Sequence, residues 1–289
     1  MDSAFTTALE KPILFVQGKG GVGKSSIAHA LARISAENYR TLLISIEDPL
    51  RKPFDLKKLT PHLDHLNNEA TAAFEEYAGI KIGAPGLVKV FLQNRFMSYI
   101  AKAAPGIREL VLMGKIWHEH KNYERIIVDM PATGHGLTLF QSLFNWGNLF
   151  GNSILARDAS AMIKTFSDPK VVGHLIVSIP EEMPLVESLE LREHLLRIFP
   201  KAEVALALNR LFPVPHVDKT NPSPEYSSDR PFALTAHEHA TRKVKLEEEN
   251  LALWKGEDFT RVPYLAPPKE NAHEAVIEKL TTTLREGIA

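Results

Sequence analysis

The stretch that most restricts how this chain can fold is Gly18-Lys19-Gly20-Gly21-Val22-Gly23-Lys24-Ser25. Gly18, Gly23, Lys24 and Ser25 fit the pattern G-x-x-x-x-G-K-[ST], a loop that cradles phosphate. Backbone N–H groups in such a turn point inward as an anion nest. The helix that follows aims its positive end at the same anion. Lys24 supplies a point charge for the β- and γ-phosphates, and the Ser25 hydroxyl is a Mg²⁺ ligand. Gly20, Gly21, Val22 and Ser26 complete the phosphate-binding set. The flanks agree with this reading. Ile13 to Gln17 is a short apolar run that predicts a buried strand. Ser26 to Glu37 carries Ile27, Ala30, Leu31 and Ile34 at helical spacing. With Thr41 to Ile46 as the next buried strand, the opening reads as a right-handed βαβ unit.

Two further stretches carry chemistry. The second strand runs into Glu47-Asp48-Pro49. A carboxylate at the C-terminal end of a parallel strand stands at the mouth of the nucleotide crevice, where Asp48 can orient water or contact Mg²⁺. The competing reading is an Asp-Pro turn starter. The apolar run Arg125 to Val128 ends in Asp129, followed by Met130-Pro131-Ala132-Thr133-Gly134-His135-Gly136. An apolar strand ending in Asp is the pattern that holds Mg²⁺ or its water shell. Gly134 and its neighbours predict a loop that swings when the γ-phosphate leaves. His135 is either a sensor in that loop or a structural histidine.

The remaining chain reads more coarsely. Residues 1–11 read as a loose leader. Residues 50–82 mix short helical and extended segments without legible chemistry. Helices are expected over Leu87–Tyr99 and Ile107–His118, separated by Pro105-Gly106. Leu139 to Phe150 is amphipathic through Leu139, Phe140, Leu143, Phe144 and Phe150, which is either a partner surface or core packing. Strands are expected at Val171–Ile179 (with His174 interrupting it), Glu203–Leu208 and Thr260–Leu265, and helices at Met183–Phe199, 232–255 and Glu270–Leu284. Residues 213–231, rich in Pro and Ser, read as a mobile loop. The charged run TRKVKLEEE reads as a solvated helix face. Two His-Glu-His triplets, at 118–120 and 237–239, do not suit a metal, because i and i+2 do not share a helix face.

Composition removes several function classes. The net charge is −1, which provides no global basic field for nucleic acid or anionic lipid. There is no cysteine, so disulfides and thiolate metal sites are excluded. No signal-like N-terminus and no apolar run long enough to span a bilayer are present. A cytoplasmic location is the expectation.

Lys19, directly after the first glycine, resembles the extra lysine of the deviant P-loop in the MinD/ParA and arsenite-transporter ATPase class. That resemblance implies a homodimer closed by ATP, with Lys19 reaching the partner's phosphates. Taken together, GKGGVGKSS, LLISIEDP, PGIREL and IIVDMPATGHGL resemble the arsenite-transporter ATPase (ArsA) and the related guided-entry ATPase for tail-anchored membrane proteins. Similarity continues through VSIPEEMPLVESLEL, ALALNRLFP and VPYL, roughly residues 12–285. The resemblance implies that Asp48 positions the attacking water and that Asp129 holds Mg²⁺. It also implies that Asn209 reads the adenine base and that the loop at Pro263 and Tyr264 covers it. This chain departs from the family at its first switch, SIEDPL where S-T-D-P-A-H is usual, which leaves open whether Glu47 or Asp48 positions the water. It also lacks the cysteines that the family uses for zinc and metalloid, which makes arsenite transport an improbable role.

The expectation is one α/β P-loop ATPase domain of the SIMIBI class over residues 1–289. Its doubly wound, mostly parallel sheet has about seven strands, with helices on both faces. Residues 85–121 and 139–170 form its helical partner or dimer region. The expected activity is Mg-ATP hydrolysis by a dimeric switch that couples nucleotide state to a protein partner or client. The alternatives are a nucleotide-gated interaction module with little hydrolysis and a P-loop kinase, although no Arg-rich lid is legible for the latter.

Overall fold

A computed structural model describes residues 3–48, 52, 55–82, 106–149, 154–213, 231–266 and 270–288. In chain order the elements are α1 (Ser3–Leu9), β1 (Ile13–Gln17), α2 (Lys24–Ser35), β2 (Thr41–Ile46), β3 (Leu56–Thr60), β4 (Leu63–Asn68) and α3 (Ala70–Ile82). They continue with α4 (Ile107–Glu119), β5 (Arg125–Asp129), α5 (Thr133–Leu149), α6 (Ile154–Phe166), β6 (Val172–Ser178) and α7 (Glu182–Ile198). β7 (Glu203–Leu211), α8 (Pro231–Leu251), β8 (Thr260–Pro263) and α9 (Ala272–Ile288) complete the set. The helix expected over Leu87–Tyr99 and most of the loop expected at 213–231 lie outside the described residues.

Among the described residues, eight strands form one sheet in the order β3-β4-β2-β5-β1-β6-β7-β8. Every neighbouring pair is parallel except β3 and β4. This is the α/β architecture expected of a P-loop protein, with one strand more than predicted. Residues 50–82 supply both β3 and β4, neither of which the sequence placed, and Leu56-Lys57-Lys58-Leu59-Thr60 turns back against β4 as an exposed edge. Lysines on such an edge discourage pairing with another chain. β1 and β2 are not neighbours. β5 lies between them, and β1 pairs with β5 on one side and β6 on the other.

Alternation along β1 sorts its side chains to the two sheet faces. Ile13 and Phe15 join a core with α4, α5, α6 and α7, whereas Leu14 and Val16 join a second core with α1, α2 and α9. The first seven described residues are therefore no loose leader. Phe5 and Ala8, both 1% exposed, hold α1 against the sheet. The close approach of Ala8 leaves no room for a side chain at residue 173 on β6, where a Cβ would meet the Ala8 carbonyl oxygen at 2.8 Å.

Leu139, Phe140 and Leu143 of α5 are buried, with Phe140 edge-on to Phe15 at 5.0 Å between ring centroids. Phe144 packs beside them against Phe199. The described apolar face of α5 is thus core rather than a partner surface, while Phe150 lies outside the described residues. His174 does not interrupt β6. It is stacked against Phe15 and Phe199 at 5.6 and 5.8 Å, and its Nδ1 lies 2.9 Å from the Gln17 Nε2. Burial pushes its pKa down to about 3, so the ring is neutral. The charged run on α8 is not wholly a solvated face either. Glu247 is 3% exposed and accepts from the Phe212 backbone N–H at 2.9 Å.

Candidate nucleotide site

The P-loop connects β1 to α2 and depends on backbone geometry that side chains oppose. Gly18 has φ 143°, and a Cβ there would stand 2.2 Å from the Val177 carbonyl oxygen on β6. Gly23 caps α2 in the left-handed region at φ 92°. A Cβ on Gly23 would meet the Asn209 Nδ2 at 2.4 Å. Val22, 1% exposed, anchors the loop in the core below. Gly20 and Gly21 form the exposed tip, and Ser26 follows in the first turn of α2.

Lys24 is 8% exposed, and its Nζ donates to the Lys19 carbonyl oxygen at 2.9 Å. The ammonium thus closes the loop on itself. Burial lowers its pKa, and the charge of Asp129 opposes that shift. Asp129 ends β5, beside Val16 of β1 and Ser45 of β2 in the ladders. Burial raises its pKa. Ser25, as a hydrogen-bond donor, and Lys24, by its charge, pull the pKa down, while Asp48 pushes it up. Asp129 Oδ1 is buried with no hydrogen-bond partner among the described residues. An anionic oxygen left open next to a hydroxyl is a donor set that suits a hard divalent cation such as Mg²⁺.

Asp48 follows β2 and has its backbone clasped by Asn67. The Asn67 Oδ1 accepts from the Asp48 N–H at 3.0 Å, and Asn67 Nδ2 donates to the Asp48 carbonyl oxygen at 3.1 Å. Glu47 lines the same cleft as Asp48. Its carboxylate receives both Nε (3.0 Å) and a terminal nitrogen of Arg108. Lys24, Ser25, Asp48 and Asp129 line one cleft of about 1120 Å³ at the C-terminal ends of β1, β2 and β5. Lys52 and Lys57 add positive charge at its rim. Both carboxylates that the sequence left open therefore line the cleft, Asp48 acting on Asp129 through its charge and Glu47 held by Arg108.

Lys19 is engaged as well, its Nζ donating to Glu187 Oε1 of α7 at 2.7 Å. Asn209 ends the buried part of β7 and donates from Nδ2 to the Val22 carbonyl oxygen at 2.8 Å. It thus supports the P-loop directly. Tyr264 follows Pro263, the last residue of β8, and its N–H donates to the Leu211 carbonyl oxygen at 2.7 Å. Its ring is stacked on Phe212 at 6.0 Å and is 43% exposed. Gly134 and His135 do not lie in a loop. They occupy the first turn of α5, where Thr138 Oγ1 donates to the His135 carbonyl oxygen at 2.8 Å.

Sequence reasoning missed Asn67, Arg108, Glu187 and Phe212. Arg108 lies inside the quoted PGIREL stretch and Phe212 inside ALALNRLFP, but no local pattern assigns either a role. His118 and Glu119 do converge with Glu76 of α3, against the expectation for the first triplet. Helix α3 supplies the third group that the i, i+2 argument ignored. The Lys115 ammonium, 2.7 Å from Glu76 and 2.6 Å from Glu119, already pairs with both carboxylates of that cluster. Glu238 and His239 of the second triplet are exposed, and the side chain of its first residue lies outside the described set.

The model of the anion-transporting ATPase family matches residues 11–159, which span the P-loop, both candidate carboxylates and α5. The chain belongs to that family. The ATPase BagA of Mycobacterium tuberculosis is 28% identical over 205 residues, covering 62% of this chain and 59% of that protein. An ATPase ASNA1 homolog of Entamoeba dispar is 24% identical over 251 residues, covering 70% and 76% of the two chains. Another ASNA1 homolog, of Cryptosporidium parvum, is 25% identical over 225 residues, with 63% and 60% covered. The match to BagA thus spans less than two thirds of that relative's length. Among the described residues of this family member, no helix is long and apolar enough to cross a membrane.

Proposed function

We propose that this anion-transporting ATPase family member hydrolyses ATP with Mg²⁺ and uses nucleotide state to close a homodimer that engages a protein partner. The observation that carries the reading is the meeting of Lys24, Ser25, Asp129 and Asp48 in one cleft at the ends of three adjacent strands. Lys24 and the P-loop amides hold the β- and γ-phosphates. Ser25 and Asp129 would hold Mg²⁺, which would supply positive charge against the phosphates. Asp48 orients a water for in-line attack on the γ-phosphate. Asn209, Pro263 and Tyr264 flank the base, with Phe212 stacked behind Tyr264. Lys19 leaves Glu187 and reaches the partner's phosphates across the closed dimer. Gly134 and His135, at the start of α5, transmit γ-phosphate loss to that helix. Thiolate capture of arsenite is not part of this proposal, since the chain has no cysteine.

The test is steady-state phosphate release with Mg-ATP, together with binding of a fluorescent ATP analogue. Lys24→Ala is expected to abolish binding and turnover. Asp48→Asn is expected to retain binding and to lose turnover by roughly a hundredfold, the scale of a lost positioning group. Normal turnover by either variant overturns the site assignment.

A further inference from the structure

The backbone that presents Asp48 is held by an ion pair from another part of the chain. At Glu47 the chain leaves β2. Its N–H still donates into the sheet, to the Asn68 carbonyl oxygen at 3.0 Å. Its own φ is 52°, the left-handed region that a residue with a Cβ disfavours. One residue later the Asp48 peptide is in the two-point clasp of Asn67. The change of direction that turns Asp48 into the cleft therefore occurs at Glu47, against the local preference of the backbone. What holds Glu47 there is Arg108, whose guanidinium engages both carboxylate oxygens in a fork. A fork of two parallel charge-assisted bonds fixes orientation as well as distance.

Arg108 is itself on firm ground. It is the second residue of α4, a helix capped by Gly106 in the left-handed conformation. Leu110, Leu112, Met113 and Ile116 fix α4 in the core. An exposed ion pair contributes little to overall stability, and Arg108 is 59% exposed at its side chain. Stability is thus a poor account of why a bidentate pair joins residues 61 positions apart at this point. The site gives a better one. Glu47 is the residue between the ladder and Asp48, so a rotation at Glu47 moves the Asp48 carboxylate.

We infer that Arg108 is a positioning residue of the hydrolytic reaction. Through Glu47 it fixes where the Asp48 carboxylate stands in the cleft, and it couples α4 to the first switch. The inference rests on the reading of Asp48 as the group that orients water.

The experiment compares wild type, Arg108→Ala, Arg108→Lys, Glu47→Gln, the Arg108→Ala/Glu47→Gln double variant and Asp48→Asn. It measures kcat, affinity for the fluorescent ATP analogue, and hydrogen exchange at the Glu47 and Asp48 amides. Arg108→Ala is expected to lower kcat roughly tenfold, within the range for a misplaced group, with nucleotide affinity within about twofold of wild type. Arg108→Lys restores part of the rate. Glu47→Gln matches Arg108→Ala, and the double variant loses no more than either single variant, as expected of residues acting as one unit. Exchange at both amides speeds up in Arg108→Ala. Unchanged kcat in Arg108→Ala overturns the inference, and so does a parallel loss of nucleotide affinity, because the pair is then only structural. If Asp48→Asn turns over like wild type, or wild type does not turn over at all, the reading of Asp48 fails instead. The exchange rates still decide whether Arg108 holds the switch, and unchanged exchange refutes it.

Discussion

Single residues here are governed by how little room the P-loop leaves. Gly23→Ala forces a Cβ to 2.4 Å from Asn209 Nδ2 and places it on a left-handed backbone. We expect a loss of about 1–3 kcal/mol of stability from the strained conformation, together with weakened nucleotide binding. Urea denaturation and titration with the ATP analogue read these two effects. His174 makes the residue-scale pH prediction. Its folded pKa, about 3, lies far below that of an exposed histidine. The unfolded chain therefore binds one more proton between about pH 6.5 and 3, and stability falls as pH drops through that window. His174→Asn keeps an amide for Gln17 without the titration. Its urea midpoint should drop less than that of wild type between pH 7 and pH 5. An equal drop places the acid sensitivity elsewhere. The loop residues were legible from the sequence because their demands are local. Gly18 to Ser25 form one short motif with its strand and helix attached. Glu187 beside Lys19 was not legible, since 168 residues separate them and neither lies in a pattern that points to the other.

At the level of elements, α2 carries Lys24 and Ser25 and is backed by α9. Leu280 and Leu284 are buried in the core that holds α2, and Arg33–Glu274 and Arg285–Glu37 pair across this contact. Burial outweighs charge in this contact. Leu284→Ala is expected to cost about 2–5 kcal/mol. Removing either exposed ion pair is expected to cost about 0–1 kcal/mol. Equilibrium urea unfolding separates the two. α7 bears the other element-scale prediction. Glu187 occupies Lys19 within one protomer, so Glu187→Gln should shift ATP-dependent dimerisation to lower protein concentration, while Glu187→Ala/Lys19→Ala should show no such shift. Analytical ultracentrifugation distinguishes these outcomes. Most helices and inner strands were legible through their periodicity. α1 was missed because seven residues with two apolar contacts, Phe5 and Ala8, give too short a pattern. β3 was missed because an exposed edge strand containing Lys57 and Lys58 has no buried face to alternate with.

Across the whole molecule, the prediction concerns mass in solution. With a transition-state mimic and Mg²⁺, light scattering should report twice the protomer mass for wild type and one protomer mass for Lys19→Ala. A mass indifferent to nucleotide removes the trans role of Lys19 from the proposal. The α/β class was legible because strands and helices alternate along the chain. The strand order was not, since periodicity says which residues are buried but not which strand lies beside which.

That strand order has a consequence in time. Synthesis runs from the N-terminal side to the C-terminal side. β1 is finished within the first 17 residues, but its ladder neighbours are residues 125–129 and 172–178. Asn209, which braces the loop, and α9, which backs α2, are made later still. The phosphate cradle is translated well before the strands and helices that brace it. A ribosome that has translated this chain only as far as residue 120 therefore displays a P-loop sequence whose strand has neither of its ladder neighbours.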